Sequence, residues 1–584
     1  MSYHSIKLLL VTLRNEGSPA STTLYHRIQM LPSLARQETI KTFCLSPWGI
    51  KALMLIAIMS WSKSPAIKFT PTFNKQLLVM RKLLVPLLLL SINVSAQSEV
   101  IKKIAEGTSL PELKKNLYFL ASNEMEGRMT SSKGDTMASL FIAEHFKKQG
   151  LEAPYDRGGY IQPVPLLRKT LKEATLSIGN NTYQNLNGWY FSIAGNNPTD
   201  LKNLPVVFAG YGIEDERYND FSNVDVKGKV LILVNGQPRG ADGKYLLSGT
   251  DRAATLQIQK TVREKGVAAV LLYTPAGRFS TDTARLIKPA LSPGFITSRT
   301  NTAINVPVLS VSEERINEVL APANTNIKAL QEQMTKTLQP QSMAINNTVS
   351  INLNIETKKE AAPNVIGIIK GTDTGAVILS AHHDHDGKIG NTIYPGAVDN
   401  ASGTVAIMEV ARLMNEAVKK GHRPKRSIVF ASFTGEEIGL VGSSYLAEHP
   451  VFPLDKTHAI LNIDMMGRVD TFYSGRRADS MYAYILVQDT LNRGLRKALF
   501  DAHEATGKEL KLDPYYEQPQ FMMRRLTGSD QYPFFIKGVP FIRIDCGFSK
   551  DYHRPTDTPD KINYELLQKQ VKLAFLTTWN LANN

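Results

Sequence analysis

The seven residues AHHDHDG, Ala381 to Gly387, hold three of the chain's eleven histidines. An apolar run, AVILS, leads straight into them and reads as a strand that delivers polar side chains at its end. In an extended segment alternate side chains share a face. His382 and Asp384 are therefore expected on one face, and His383 and His385 on the other, with a place at the cleft rim as the alternative for His385. An H-x-D pair on one face suits a metal ligand and its orienting carboxylate: Asp384 holds one imidazole nitrogen while the other binds the ion. That pattern singles out His382.

Further strand ends carry carboxylates. SFTGEEIGLVGS places Glu436 beside Glu437, and two neighbouring carboxylates can divide labour. One ligates a metal, and the other takes a proton from water; the spacing leaves open which does which. LNIDMMG puts Asp464 at the end of another strand. PGAVDNASG is a glycine-containing loop with Asp399 just before a helix. DYHRPTDTPD supplies His553 in a polar turn. Each has an ordinary reading when taken singly: a surface pair, a helix cap, a loop residue. Together they are two histidines and three carboxylates at strand ends or adjoining loops. The chain has two cysteines, Cys44 and Cys546, too few for a thiolate metal site or a disulfide framework. Mixed nitrogen and oxygen donors suit zinc, with cobalt and manganese as alternatives.

These residues need a scaffold. From Asn364 onward NVIGIIKG, AVILSAH, SIVFASF, HAILNIDMM, YAYILVQ and VPFIRIDC read as strands, with helical stretches such as GTVAIMEVARLMNEAVKK between several of them. Continuous apolar strands alternating with helices predict an α/β fold with a mostly parallel sheet covered by helices on both faces. In such sheets ligands bind beyond the C-terminal strand ends, where the motifs lie. Upstream, LPELKKNLYFLAS and DTMASLFIAEHFKKQGL read as helices, with EMEGRMTSSKG a polar loop between them. From about Leu204 the short runs VVFAGYGI, KVLILVNG, AAVLLYTP and VPVLSVS, with a helix expected at Asp251 to Lys265, suggest a smaller β-rich α/β block. It ends in the polar stretch around Gln339 to Asn347.

Composition narrows the partners. The 584 residues carry a formal charge of +15, but residues 1–82 alone contribute nine of that surplus. The remainder has no electrostatic footprint for a nucleic acid. Met80 to Gln97, MRKLLVPLLLLSINVSAQ, has the order of an export signal: Arg81 and Lys82, the apolar run Leu83 to Leu90, and small residues at Val94-Ser95-Ala96. The run is too short to span a bilayer, so no stable membrane span is expected in the mature chain. The reading places the natural start at Met80, with 80–96 as the signal and 1–79 as an upstream extension. A long leader, or an anchoring segment through KALMLIAIMSW, is the alternative. The product is expected in a periplasmic or extracellular setting.

The ordered segments SAHHDH, PGAVDNASG, FTGEEIGLVGS, NIDMMG and DYHRPTDTPDKI resemble the co-catalytic di-zinc aminopeptidase family, whose relatives include glutamate carboxypeptidases and the inactive transferrin receptor. The resemblance implies a zinc peptidase domain at 97–200 and 348–584. The block at 201–347 resembles the protease-associated domain inserted in such enzymes. Carried over by motif, His382 and Asp464 hold one Zn2+, Glu437 and His553 the other, and Asp399 bridges them. Glu436 is the general base, Asp384 orients His382, and the Asp399–Asn400 bond is cis. Val398 stands where the family often has a second polar residue, but that is no ligand position. The implied substrates are peptides with a free N-terminus. A carboxypeptidase or dipeptidase of the same fold is the alternative activity. A one-zinc glutaminyl cyclase fits less well, because both halves of the site are present. A non-catalytic, receptor-like binding protein is the rival class, and the filled ligand set speaks against it. FMMRRLTGSDQYPFF, Phe521 to Phe535, borders the expected substrate pocket. Arg524 and Arg525 read there as surface arginines, with recognition of an acidic substrate group as the alternative.

Overall fold

The computed structural model describes residues 99–156, 159–240, 243–246, 261–273, 291–296, 306–473 and 480–584. The expected signal at 80–96, the segment 1–79 and most of the helix expected at 251–265 lie outside them.

The compact unit Ala96–Asn584 is organised by one twisted sheet. Its principal strands are β1 (Ile161–Ile178), β2 (Thr199–Phe208), β3 (Val230–Val234), β4 (Ala269–Tyr273), β5 (Val308–Val311), β6 (Met343–Ile369), β7 (Ala376–His382), β8 (Ser427–Phe433), β9 (Thr457–Ile463), β10 (Tyr482–Gln488), β11 (Lys511–Asp513) and β12 (Phe541–Asp545). Across the sheet the order is β11-β10-β12-β9-β7-β8-β6-β2-β3-β4-β5, with β1 against β6. Most neighbours are parallel: β8, β7, β9 and β12 run together, as do β2, β3, β4 and β5. β6 is antiparallel to β8 and β2, and β10 to β12. The expected α/β architecture is the observed one.

The main helices are α1 (Leu110–Leu120), α2 (Lys133–Lys148), α3 (Glu313–Leu320), α4 (Ile327–Thr337), α5 (Gly403–Lys419), α6 (Val441–Glu448), α7 (Leu495–Ala505), α8 (Pro519–Thr527) and α9 (Tyr564–Asn583). Strand periodicity explains the two covered faces. Val377, Leu379 and Ala381 of β7 pack with α1, α2, α5, α7 and α9 in one core. The alternate residues Ala376 and Ile378 face the opposite side and pack with α6 and Phe534. Every residue of β7, β8 and β12 is buried, which is why these strands read as unbroken apolar runs.

A second core gathers β2 to β5 with α3 and α4. β6 belongs to both: Val349, Ile351 and Leu353 lie in the second core, and Val365 and Ile369 in the first. The last residues of the polar stretch, Met343 to Asn347, already belong to this strand. β1 pairs with β6 from Ile161↔Val365 to Ile178↔Val349. Neither the length of β6 nor the existence of β1 is apparent in the sequence pattern, because Lys, Glu and Pro interrupt both.

Candidate metal centre

β7, β8 and β9 are parallel and end on the same edge of the sheet. His382 is the last residue of β7, Asp464 directly follows β9, and Glu436 and Glu437 lie in the turn after β8. Asp399 sits in the irregular turn Ala397–Ser402 that leads into α5. His553 comes from a loop near the C-terminus, in a left-handed backbone conformation with φ 55°.

These side chains converge in two groups. His382 Nε2 lies 3.3 Å from Asp399 Oδ1 and 3.4 Å from Asp464 Oδ1. His553 Nε2 lies 3.1 Å from Asp399 Oδ2 and 3.3 Å from Glu437 Oε2. Asp399 thus offers one oxygen to each group. Tetrahedral ligands on bonds of about 2.0–2.2 Å stand roughly 3.3–3.5 Å apart. The four distances match that spacing closely, and the nitrogen and carboxylate donors are those zinc takes. The donor set therefore fits a pair of zinc ions.

The charge balance points the same way. Asp384, Asp386, Asp399 and Asp464 are buried together beside Glu436 and Glu437. Among the described residues, Arg128 and Arg543 bring buried permanent cations to them. Burial opposes the His553 imidazolium, yet the carboxylates of Glu437, Asp386 and Asp399 prevail and push its pKa up to about 12. Such a field would be relieved by divalent cations. Glu436 belongs to neither histidine group. Burial, reinforced by Glu437, Asp464 and Asp530, pushes its carboxyl well above the ordinary range against the pull of His382. With Asp399 and Asp464 it lines a cleft whose wall includes Met465, Phe548 and Tyr552.

The backbone around the ligands is tightly held. The Asp557 carboxylate accepts N–H bonds from Val398 at 3.0 Å and Asp399 at 3.2 Å. Arg543 Nη2 donates to the second oxygen of Asp464 at 2.9 Å. Asp384 accepts from Thr130 Oγ1 at 2.8 Å and from the backbone N–H of Glu436 at 3.1 Å. Its carboxylate lies 3.6 Å from His382 Nδ1, and its backbone oxygen lies closer, at 3.2 Å. The Asp399–Asn400 bond is cis, as the resemblance implied.

All seven sequence-predicted residues thus meet at one edge of the sheet. Two expectations need correction. His383 does point away, 3.1 Å from Asp135 and 3.0 Å from Ser432 Oγ. His385 does not: its Nδ1 is 2.8 Å from Glu437 Oε1. β7 stops at His382, so strand alternation no longer governs residue 385. Arg525 is no surface arginine either. It is buried, paired with Asp545 and stacked 4.5 Å from the Tyr516 ring centre, whereas Arg524 is exposed at the cleft. Arg128, Asp386 and Asp557 were given no role by the sequence. Asp557 lies inside a quoted motif; Arg128, in a polar loop, carries no signal of its own.

Residues 364–578 match the model of peptidase family M28. Aminopeptidase YwaD of Bacillus subtilis is 23% identical over 499 residues, covering 83% of this chain and 88% of that protein. Aminopeptidase NAALADL1 of mouse is 34% identical, over 21% of this chain and 16% of that protein. Among solved structures, an aminopeptidase from Aneurinibacillus sp. strain AM-1 superposes with a TM-score of 0.53 at 18% identity, covering 83% of this chain and 96% of that one. BSAP, a zinc aminopeptidase from Bacillus subtilis, gives 0.50 at 19% identity, covering 82% and 96%. These two similarities establish the shared fold.

Proposed function

We propose that this chain, whose residues 364–578 match peptidase family M28, is a zinc metallopeptidase that removes the N-terminal residue from peptides. The observation that carries the reading is the pair of histidine–carboxylate groups joined through Asp399, with the Glu436 carboxyl in the same cleft. The name of the relative aligned over most of its length, an aminopeptidase, supports cleavage from the N-terminus.

In this reading His382 and Asp464 hold one ion, Glu437 and His553 the other, and Asp399 both. Bound zinc supplies Lewis acidity, which polarises a scissile carbonyl and lowers the pKa of water from about 15.7 toward about 7. Glu436 takes the proton of the attacking water and hands it to the departing amine. Asp384 steadies the loop of His382 and, through the Glu436 N–H, the base itself. Arg543 fixes Asp464 by its second oxygen. The apolar wall of Met465, Phe548 and Tyr552 receives the substrate side chain. The signal-like order of Met80 to Ala96 supports export. No described helix is long and apolar enough to cross a membrane.

The test incubates zinc-loaded protein with short peptides, each free and N-acetylated, and reads the products by mass spectrometry. Loss of one N-terminal residue from the free forms alone, abolished by chelator, is expected. Cleavage of blocked peptides from the other end would replace this reading with a carboxypeptidase. Glu436→Gln should keep both metals while turnover falls at least about 100-fold; wild-type turnover would remove Glu436 from its role.

A further inference from the structure

We propose that His385 and Asp386 are positioning residues that hold the two ligands of the second metal, Glu437 and His553. The inference rests on the two-metal reading above and assigns a task to residues it leaves unused.

The two metal positions are built differently. His382 and Asp464 stand at the ends of β7 and β9, so the sheet itself aims them. Glu437 and His553 project from loops, and the His553 side chain remains 24% exposed. A loop side chain ligates well only when something else fixes its rotamer. His385 and Asp386, both buried, are placed to do this. His385 Nδ1 donates to Glu437 Oε1 at 2.8 Å, leaving Oε2 directed to His553 Nε2. Asp386 Oδ2 lies 3.2 Å from His553 Nδ1, the ring nitrogen that faces away from Asp399 and Glu437. A carboxylate at that nitrogen favours, in a metal-bound ring, the tautomer with its proton on Nδ1 and the lone pair on Nε2.

For His385, spacing separates holding from ligating; for Asp386 it is the ring nitrogen approached, Nδ1 and not Nε2. The four pairs assigned to metal ligation lie 3.1–3.4 Å apart, near the roughly 3.3–3.5 Å of tetrahedral ligand atoms. His385 Nδ1 lies 2.8 Å from Glu437 and 3.9 Å from Asp399. The first is too short for two ligands of one ion and right for a hydrogen bond; the second is too long. His385 Nε2 is buried without a hydrogen-bond partner, so the Nδ1 contact with Glu437 is what orients the ring. The surroundings keep that ring in place. A Cβ on Gly396 would stand 2.5 Å from its Cδ2 and Cγ atoms, so the loop before Asp399 closes over the imidazole.

The experiment titrates the full-length protein with chelator-buffered Zn2+ and counts bound zinc by elemental mass spectrometry. It compares wild type with His385→Ala, Asp386→Ala and Asp386→Asn. Wild type should bind two ions. Both alanine variants should weaken one binding step about 10- to 100-fold and leave the other unchanged. Asp386→Asn, near-isosteric and still an acceptor through its amide oxygen, should recover part of the loss. Titrations like wild type in both alanine variants would overturn the inference, as would equal weakening of both steps. A His385→Ala loss far beyond about 100-fold would make His385 a ligand and also overturn it. A wild type that binds fewer than two ions would instead refute the two-metal reading itself.

Discussion

Replacing Arg128 with methionine tests how the ligand loops are held together. The Arg128 side chain is fully buried and donates to four carbonyl oxygens: Leu120 at 2.6 Å, His383 at 2.7 Å, Pro395 at 2.7 Å and Gly396 at 2.9 Å. It ties the segment after His382 to the segment before Asp399. Burial lowers its pKa to about 10, against the pull of Asp384, Asp557, Asp399 and Asp135, so it stays charged at neutral pH. Methionine fills similar volume but donates nothing. A buried acceptor left unpaired costs about 1–3 kcal/mol; the Gly396 oxygen also accepts from the Ala401 N–H, so three are orphaned, at roughly 3–9 kcal/mol. Relaxation and entering water should hold the loss to about 4–6 kcal/mol, near that of removing one partner of a buried charge pair. An unfolding entropy of about 2.1 cal/mol/K per residue comes to roughly 1 kcal/mol per kelvin for a unit the length of Ala96–Asn584. Calorimetry should therefore show melting about 4–6 °C lower if the unit melts as one. Zinc should also be lost at lower chelator concentration, because the loops carrying His382 and Asp399 are released together. Arg128→Lys should recover only part, since one ammonium cannot reach four carbonyls. Arg128→Met protein that melts within about 1 °C of wild type and keeps its zinc equally well would refute the reasoning.

Gly396→Ala should yield protein that is insoluble or nearly free of zinc. Gly396 has φ +56°, and its Cβ would stand 2.2 Å from the Asp399 carbonyl oxygen. Gly228→Ala, at φ +69° with nothing within 4 Å, should lose only about 1–2 kcal/mol; normal zinc content in Gly396→Ala would contradict the packing argument. Stability should also carry a pH signature from Asp220 in the second core. Burial pushes its carboxyl up to about 7 despite N–H bonds from Ile213 and Tyr211. The unfolded value is about 3.9, so between about pH 4 and pH 7 the folded state binds the extra proton. This contribution is therefore present at low pH and is lost as pH rises through about 7. Asp220→Asn keeps an acceptor for both N–H groups and should flatten the slope of urea midpoint against pH over that interval; an unchanged slope would refute it.

Several elements were legible because local pattern and final environment agree. β7, β8, β9, β10 and β12 are buried almost throughout, so burial on both faces writes itself as an unbroken apolar run. α2 shows the periodicity of a helix with one packed side. β1 and the first part of β6 were not legible. Their residues alternate between buried and exposed with charged and proline interruptions, and what makes them strands is mutual pairing over a long antiparallel register. Among the site residues, those at strand ends could be found by asking where a strand stops. The same rule failed for His385 once it was carried past the end of β7.

The sequence by itself determined the donor types, their order along the chain and the sheet that presents them. Those follow from side-chain chemistry and from short-range periodicity, both local properties. The tertiary structure decided which donors share an ion and which residues hold them there. Asp399 meets both histidines although 17 residues separate it from His382 and 154 from His553, and the Arg128 contact with Gly396 closes a separation of 268 residues. No local pattern encodes such distances. They are set by how the β-strand ends and loops pack against one another, and that packing makes four carbonyls, a buried guanidinium and a pair of histidine–carboxylate groups parts of one site.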